Sequence, residues 1–228
     1  MILQAEKINK RFMRKNGGSN FFYAVQDMSL SLNSGQLIAL FGRSGSGKST
    51  LLNILSGLLK PSNGCVKLDD DELYSMDDSR LSQYRNEHFG VIPQGQAALQ
   101  SLSVLDNVLL PCTLFRAADT GEEERAMALL EETGIGNLRD VRPSDLSGGE
   151  MRRMAIARAL IRNPDVILAD EPTADLDDEN TEIVLKLLRN MADQGKIVFV
   201  ATHDKDTFGY ADSIYRMDAG IIKKERWI

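Results

Sequence analysis

Cysteine is scarce in this chain of 228 residues: Cys65 and Cys112 stand far apart, without CxxC spacing or neighbouring histidines. That argues against a disulfide scaffold or a zinc site and fits a reducing compartment. Histidine is equally rare, with only His88 and His203. No apolar run approaches the ~18 residues needed to cross a bilayer. The start, Met1-Ile2-Leu3-Gln4-Ala5-Glu6-Lys7, lacks the apolar stretch of a signal peptide. A role at a membrane is therefore expected to draw its spans from another chain. An excess of basic charge is missing too. Lys and Arg number 27 against 33 Asp and Glu, a net charge of −6, whereas a nucleic-acid partner calls for clustered cations. The small basic groups, Lys7, Lys10, Arg11, Arg14, Lys15 and Lys223, Lys224, Arg226, read as solvated charge on exposed ends. Nor is there an internal repeat or a low-complexity stretch. What remains is ordinary: 43% hydrophobic and 26% charged residues, enough for one α/β domain with a real core.

Three runs, Leu37-Ile38-Ala39-Leu40-Phe41, Val166-Ile167-Leu168-Ala169 and Ile197-Val198-Phe199-Val200-Ala201, are almost wholly apolar. They suit strands covered on both faces, as in a parallel sheet. Helical spacings alternate with them. Leu51, Leu52, Ile54, Leu55, Leu58 and Leu59 predict a helix that Pro61 closes. Ile2 to Ile8 and Asp27 to Leu32 alternate like half-exposed strands and predict an antiparallel edge sheet. Between about residues 95 and 163 strand signals vanish. One helix is expected from Thr120, which has capping-box spacing to Glu123, to near Gly134, with Ala126, Leu129 and Leu130 on one face. A second runs from Ser147 through Met154, Ile156 and Leu160 to Ile161. The coarse architecture is an α/β core with an all-helical insertion.

The first chemical signal is Gly42-Arg43-Ser44-Gly45-Ser46-Gly47-Lys48-Ser49-Thr50. It follows an apolar strand and opens an amphipathic helix, the context that validates a P-loop. Glycines let backbone N–H groups turn inward around a nucleotide's β- and γ-phosphates, where a Cβ would collide. Lys48 adds a fixed positive charge, Ser49 offers a hydroxyl to Mg²⁺, and the helix dipole points its positive end at the anion. Val166-Ile167-Leu168-Ala169-Asp170-Glu171-Pro172 supplies the complementary half. Strands of α/β sheets bind ligands at their carboxyl ends, so Asp170 is placed to hold the Mg²⁺ hydration shell. Glu171 is placed to polarise an attacking water as general base. Ala201-Thr202-His203-Asp204 repeats that geometry and brings His203 towards a γ-phosphate or the water. His88, within Asn86-Glu87-His88-Phe89, has no such context and reads as a surface residue.

A second phosphate cradle lies about a hundred residues on, at Leu146-Ser147-Gly148-Gly149-Glu150. Ser147 and Glu150 have capping-box spacing at a helix start. Two consecutive glycines are not explained by a cap, because they cost conformational entropy and mark a close approach. The tip has no lysine and no metal-binding acid near it in sequence. It reads as half a site, completed by a γ-phosphate held on the P-loop of another copy.

In this order, the P-loop, Gln94, residues 146–150, the Asp170-Glu171 strand, Ala174-Asp175-Leu176-Asp177 and His203 resemble the ATP-binding cassette (ABC) ATPases, from about residue 2 to residue 222. The resemblance implies one domain over residues 1–228, a P-loop NTPase α/β core with a mixed sheet and an antiparallel β edge subdomain. Residues 1–94 and 164–228 would form the nucleotide-binding core, and about 95–163 an inserted helical subdomain bearing the signature motif. It implies ATP and Mg²⁺, and a head-to-tail dimer with each ATP clamped between one P-loop and the partner's Ser147, Gly148, Gly149 and Glu150. Gln94 is similar to the family glutamine that contacts metal and water and links the helical subdomain to membrane partners. Asp177 matches the aspartate of the family's D-loop. Phe12 lies where the family stacks an aromatic on adenine, with Tyr23 as the weaker candidate.

Residues 140–147 and 101–111 resemble the group of lipoprotein-release, macrolide-export and antimicrobial-peptide-resistance ATPases. Transmembrane permease subunits, a place at the cytoplasmic face of the membrane and a membrane-fusion protein follow from that likeness. Three departures stand out. Met151-Arg152-Arg153-Met154 replaces the usual Gln-Gln-Arg-Val, Pro93 precedes Gln94 where an aromatic is usual, and Asp175 replaces a small or neutral residue. Non-transport relatives, the alternative reading, carry paired cassettes or coiled-coil or zinc insertions, which this sequence lacks. A small-molecule kinase would not require the Gly148-Gly149 cradle. A non-hydrolysing cassette is disfavoured by the presence of Lys48, Asp170, Glu171 and His203.

Overall fold

The three apolar runs become strands because each finds cover on both of its faces. In the computed structural model, which describes residues 1–13, 21–95, 98–115 and 121–225, the chain opens with β1 (Ile2–Met13), β2 (Phe21–Asn33), β3 (Gln36–Phe41) and helix α1 (Lys48–Leu55). There follow β4 (Asn63–Leu68), β5 (Asp71–Glu72), α2 (Asp78–His88) and β6 (Phe89–Ile92). Three helices come next, α3 (Val104–Thr113), α4 (Glu122–Glu132) and α5 (Gly148–Leu160). The last elements are β7 (Val166–Asp170), α6 (Asp178–Asp193), β8 (Ile197–Thr202), β9 (Ser213–Asp218) and β10 (Ile221–Glu225).

A six-stranded sheet runs in the order β10-β9-β3-β8-β7-β6, parallel except for β10 at its edge. Successive side chains leave a strand on opposite faces, and β7 and β8 feed two cores accordingly. Leu168 and Phe199 pack with Leu51 and Ile54 of α1 and with Leu3 and Ile8 of β1. Ile167, Val198 and Val200 pack on the other face, with Ile156 and Leu160 of α5 and Val184 and Leu188 of α6. A second sheet, β2-β1-β4-β5, is antiparallel throughout. It contains the alternating segments at Ile2–Ile8 and Asp27–Leu32, although both strands run further, with register shifts between Ala5 and Arg11.

Among the described residues from 98 to 163 helices occur and no strand does. Asn107, fully buried, ties the approach to α3 by accepting from the Leu99 N–H at 2.9 Å and donating to the Leu99 and Ser103 carbonyls. Two helix boundaries differ from the spacing. α1 stops at Leu55, short of Leu59, because Gly57 adopts φ 74°. The Leu58 N–H then turns back to Asn53 O at 2.9 Å and the Gly57 N–H to Ile54 O at 3.2 Å, a Schellman stop. α4 is entered through Gly121, whose φ is 111°, as N-cap. The expected cap, Thr120, lies outside the described residues, as do Arg14, Lys15 and Arg226.

Candidate nucleotide site

The loop between β3 and α1 leaves a helix start without a side-chain cap: the N-cap is Gly47, φ 111°, and no acid occupies the first turn. Its leading N–H groups and the positive end of the dipole are thereby offered to an anion. The glycines have a reason that the residues alone did not give. A Cβ on Gly47 would strike the Ala24 carbonyl of β2, and one on Gly42 would strike the Met217 carbonyl of β9. Those two positions are forced by main chain behind the loop. Gly45, φ 78°, has no described atom within 4 Å of where a Cβ would stand, and its left-handed backbone favours glycine. The Gly220 N–H donates to Ser46 O at 3.0 Å, fixing the loop at the seam of the two sheets. Lys48 is buried; its Nζ donates to Gly42 O at 2.7 Å and lies 3.8 Å from Glu171 Oε1.

Glu171 leaves β7 with φ 52°, in the left-handed region that side chains other than glycine seldom adopt. Such strain persists where surroundings over-determine it. Here the Glu171 N–H is held by Ala201 O at 2.7 Å, while its Oε2 accepts from the His203 N–H at 3.2 Å and lies 2.8 Å from His203 Nδ1. The carboxylate is buried and the imidazole exposed, so His203 forms the mouth and Glu171 the floor. Burial pushes the Asp170 carboxyl above its usual range, opposed by a hydrogen bond with Ser49 and by the charges of Lys48 and Arg152.

Asp170 Oδ1 and Ser46 Oγ are buried without hydrogen-bond partners. Orphaned buried oxygens need an explanation. Asp170 Oδ1 and the Ser49 hydroxyl together supply hard oxygens that fit Mg²⁺. No group of three His, Cys, Asp or Glu suited to a metal occurs among the described residues. A cation here would complete its shell from phosphate and water, as Mg²⁺ does at nucleotide sites.

These parts share one cleft of ≈ 650 Å³, lined by residues 42–50 together with Phe12, Phe22, Gln94, Asp170, Glu171 and His203. The rings of Phe12 and Phe22 stack at 5.7 Å and 29°. Phe12 pairs with Phe22 across β1 and β2, and Arg11 with Tyr23, so Tyr23 points to the other face and does not line the cleft. Phe22 is the aromatic that the sequence reading missed. Three aromatics in a row, Phe21, Phe22 and Tyr23, open β2 and leave the face undecided, and only strand register settles it.

The second cradle stands apart. Ser147 and Glu150 close both halves of a capping box, with Ser147 N–H donating to Glu150 Oε2 at 2.7 Å and Glu150 N–H to Ser147 Oγ at 3.3 Å. The Ser147 N–H, its largest influence, holds the Glu150 carboxyl below the usual range. A Cβ on Gly148 would meet nothing within 4 Å, whereas one on Gly149 would press Leu176. None of Ser147, Gly148, Gly149 and Glu150 lines the main cleft. Gly148 instead borders a separate hollow of ≈ 190 Å³ with Gln94, Arg152 and Asp175. Asp177 caps α6, accepting from the Asn180 N–H at 2.8 Å. His88 is corrected from a mere surface residue. Its Nδ1 lies 2.7 Å from Asp165 Oδ2 and its ring 4.3 Å from that of Tyr84, and it does not line the cleft.

Known proteins resemble this chain in sequence and fold. The family model for ABC transporters matches residues 25–174, more than half of the chain. The macrolide export ATP-binding/permease protein MacB of Shewanella sp. is 39% identical over 205 residues, 90% of this chain and 32% of that protein. The lipoprotein-releasing system ATP-binding protein LolD of Saccharophagus degradans is 38% identical over 202 residues, 88% of this chain and 89% of that protein. The chain thus spans about a third of the length of the macrolide-export relatives. The dimeric structure of MJ0796, a bacterial ABC transporter cassette, superposes with a TM-score of 0.91 at 33% identity, covering 99% of this chain and 100% of that one. With the family model, these identities and the fold in agreement, the chain belongs to the ABC transporter family.

Proposed function

We propose that the chain is the ATP-binding and ATP-hydrolysing subunit of an ABC transporter. It would energise separate transmembrane permease subunits from the cytoplasmic face of the membrane, in export or membrane extraction of the lipoprotein, macrolide or antimicrobial-peptide type. The observation that carries the reading is the meeting of Lys48, Asp170, Glu171 and His203 in one cleft under the uncapped start of α1. No helix among the described residues is long and apolar enough to cross a membrane.

Each role follows from position. Lys48 and the N–H groups of residues 43–50 grip the triphosphate, and Phe12 with Phe22 stacks on adenine. Ser49, Asp170 and Gln94 would hold Mg²⁺, which neutralises charge on the phosphate oxygens. Glu171 accepts a proton from the attacking water while His203 steadies that carboxylate and the γ-phosphate. The water oxygen bonds to the γ-phosphorus, the bond to the ADP oxygen breaks, and ADP and phosphate leave. Ser147, Gly148, Gly149 and Glu150, at the tip of the helical unit at about 95–163, close on ATP held by a second copy. The open space at Gly148 supports that assignment, as none of the described residues comes within 4 Å of where its Cβ would stand. So does the dimer in which the MJ0796 cassette is found.

Glu171→Gln tests the reading. It should retain ATP binding, lower turnover about 10²–10⁴-fold as loss of a general base does, and accumulate a dimer on gel filtration with ATP. Wild-type turnover, or a persistent monomer, would overturn it.

A further inference from the structure

Arg152 lies in the second turn of α5, yet its guanidinium serves a segment some 58 residues earlier in the chain. Nη1 donates to Pro93 O at 2.7 Å and Nη2 to Gln94 O at 2.8 Å. The residue is only 8% exposed. Strand β6 ends at Ile92, and Pro93 has no N–H with which to continue a ladder. The two carbonyl contacts from α5 take over where strand pairing stops. A planar fork on two acceptors fixes direction as well as distance, which a single contact would not do.

A buried cation needs a counter-charge. Burial pushes the Arg152 pKa down, and Asp175, Asp170 and Glu171 pull it back up, Asp175 most strongly. Asp175 itself is held at φ 65°. Gln94, Gly148, Arg152 and Asp175 together line the ≈ 190 Å³ hollow, and Gln94 also lines the main cleft. Pro93 and Asp175, with Arg152 from the Met151–Met154 stretch, are among the places where this chain departs from the pattern of the family it resembles. They converge here, between the two phosphate cradles.

We propose that Arg152 is a positioning residue that locks the Gln94 backbone to the signature helix, with Asp175 as counter-charge, so that displacement of the α5 tip is delivered to Gln94 in the same chain's nucleotide cleft. This rests on the role given to Gln94 in hydrolysis. Closure on a second copy's ATP and alignment of the chain's own metal- and water-facing glutamine thereby become one movement.

Steady-state ATP turnover of the full chain tests the lock through Arg152→Met, Arg152→Lys, Gln94→Ala and the Gln94→Ala/Arg152→Met pair. Arg152→Met should lower kcat about tenfold to 10²-fold, the scale of a ~1 Å misplacement. KM for ATP should hold, because the phosphate loop is untouched. Arg152→Lys keeps the charge but cannot fork two carbonyls, so it should not restore kcat. The double variant should be no slower than Gln94→Ala alone, since both changes act on one group. Losses that multiply, or wild-type kcat in Arg152→Met beside a slow Gln94→Ala, overturn the lock alone. Wild-type kcat in Gln94→Ala removes the role of Gln94 and the lock with it. Should Arg152→Met fail to fold, Arg152→Lys decides: a lowered kcat at unchanged melting temperature supports the lock, and a wild-type kcat overturns it.

Discussion

The starts of α1 and α5 are both glycine-rich helix tips, and they are finished in opposite ways. At α1 no side chain caps the helix, a buried lysine lies against the loop, and two buried oxygens have no partner. At α5 Ser147 and Glu150 satisfy each other's backbone N–H groups, and the charge of the cap is the Glu150 carboxylate, with Arg153 close enough to act on it. The first tip leaves N–H donors uncapped for a ligand, with Lys48 held beside them by Gly42 O and Glu171. The second has already used part of its donor capacity on its own cap, the Ser147 hydroxyl included, and it offers little beyond the bare Gly148-Gly149 face. A helix terminus is thus not one kind of anion site. Whether it can hold a phosphate by itself depends on what its own chain has left unsatisfied.

The contrast is broken most severely at Lys48. Lys48→Ala removes the fixed charge, and turnover should fall about 10³-fold, the upper range for loss of one preorganised charge-stabilising donor. ATP affinity, followed by fluorescence titration, should fall with it. Gly148→Asp should act on the other tip in a different manner. The new side chain has open space in its own chain, so the fold and ATP binding to the monomer should be kept. Turnover should drop about 10²-fold, because a carboxylate would face the partner's γ-phosphate. Weakened binding to the monomer would show that the two tips serve one cleft, against the distinction drawn above.

The smallest effect belongs to the cap. Glu150→Ala should lower stability by about 1 kcal/mol, seen as a fall of about 2–4 °C in melting temperature. Its pH dependence has a definite sign. The Glu150 carboxyl is lowered from an ordinary value of 4.5, so the ionised cap contributes fully above that pH and is lost as pH falls through the lowered value. The gap between wild type and Glu150→Ala should therefore be constant at neutral pH and close below about pH 4.5.

Much of the cleft was legible in the sequence because phosphate chemistry dictates residue types in order along the chain. Gly42 to Thr50, Asp170-Glu171 and His203 each follow an apolar strand, and a parallel sheet brings such strand exits to one edge. What was not legible depends on register or on distant partners. Phe22 could not be told from Tyr23 without the pairing of β1 and β2. Asp165 lies 77 residues from His88, and nothing local announces the pair. The carbonyls held by Arg152 carry no signal in residue type at all. Strand β9 went unread because only Ile214 and Met217 of its six residues are buried, so it lacks the solid apolar run that marked β3, β7 and β8. The leucine spacing overran α1 because periodicity does not register a left-handed turn at Gly57.

The backs of Gly42 and Gly47 rest against the Met217 and Ala24 carbonyl oxygens. A main-chain oxygen is the same whatever amino acid bears it. Replacing Ala24 or Met217 therefore cannot make room for a methyl group at either glycine, and a selection for second-site revertants of Gly47→Ala should not recover side-chain trimming at those neighbours. Relief would have to come from moving a whole strand, which makes these two positions intolerant in a way that nearby sequence drift cannot soften.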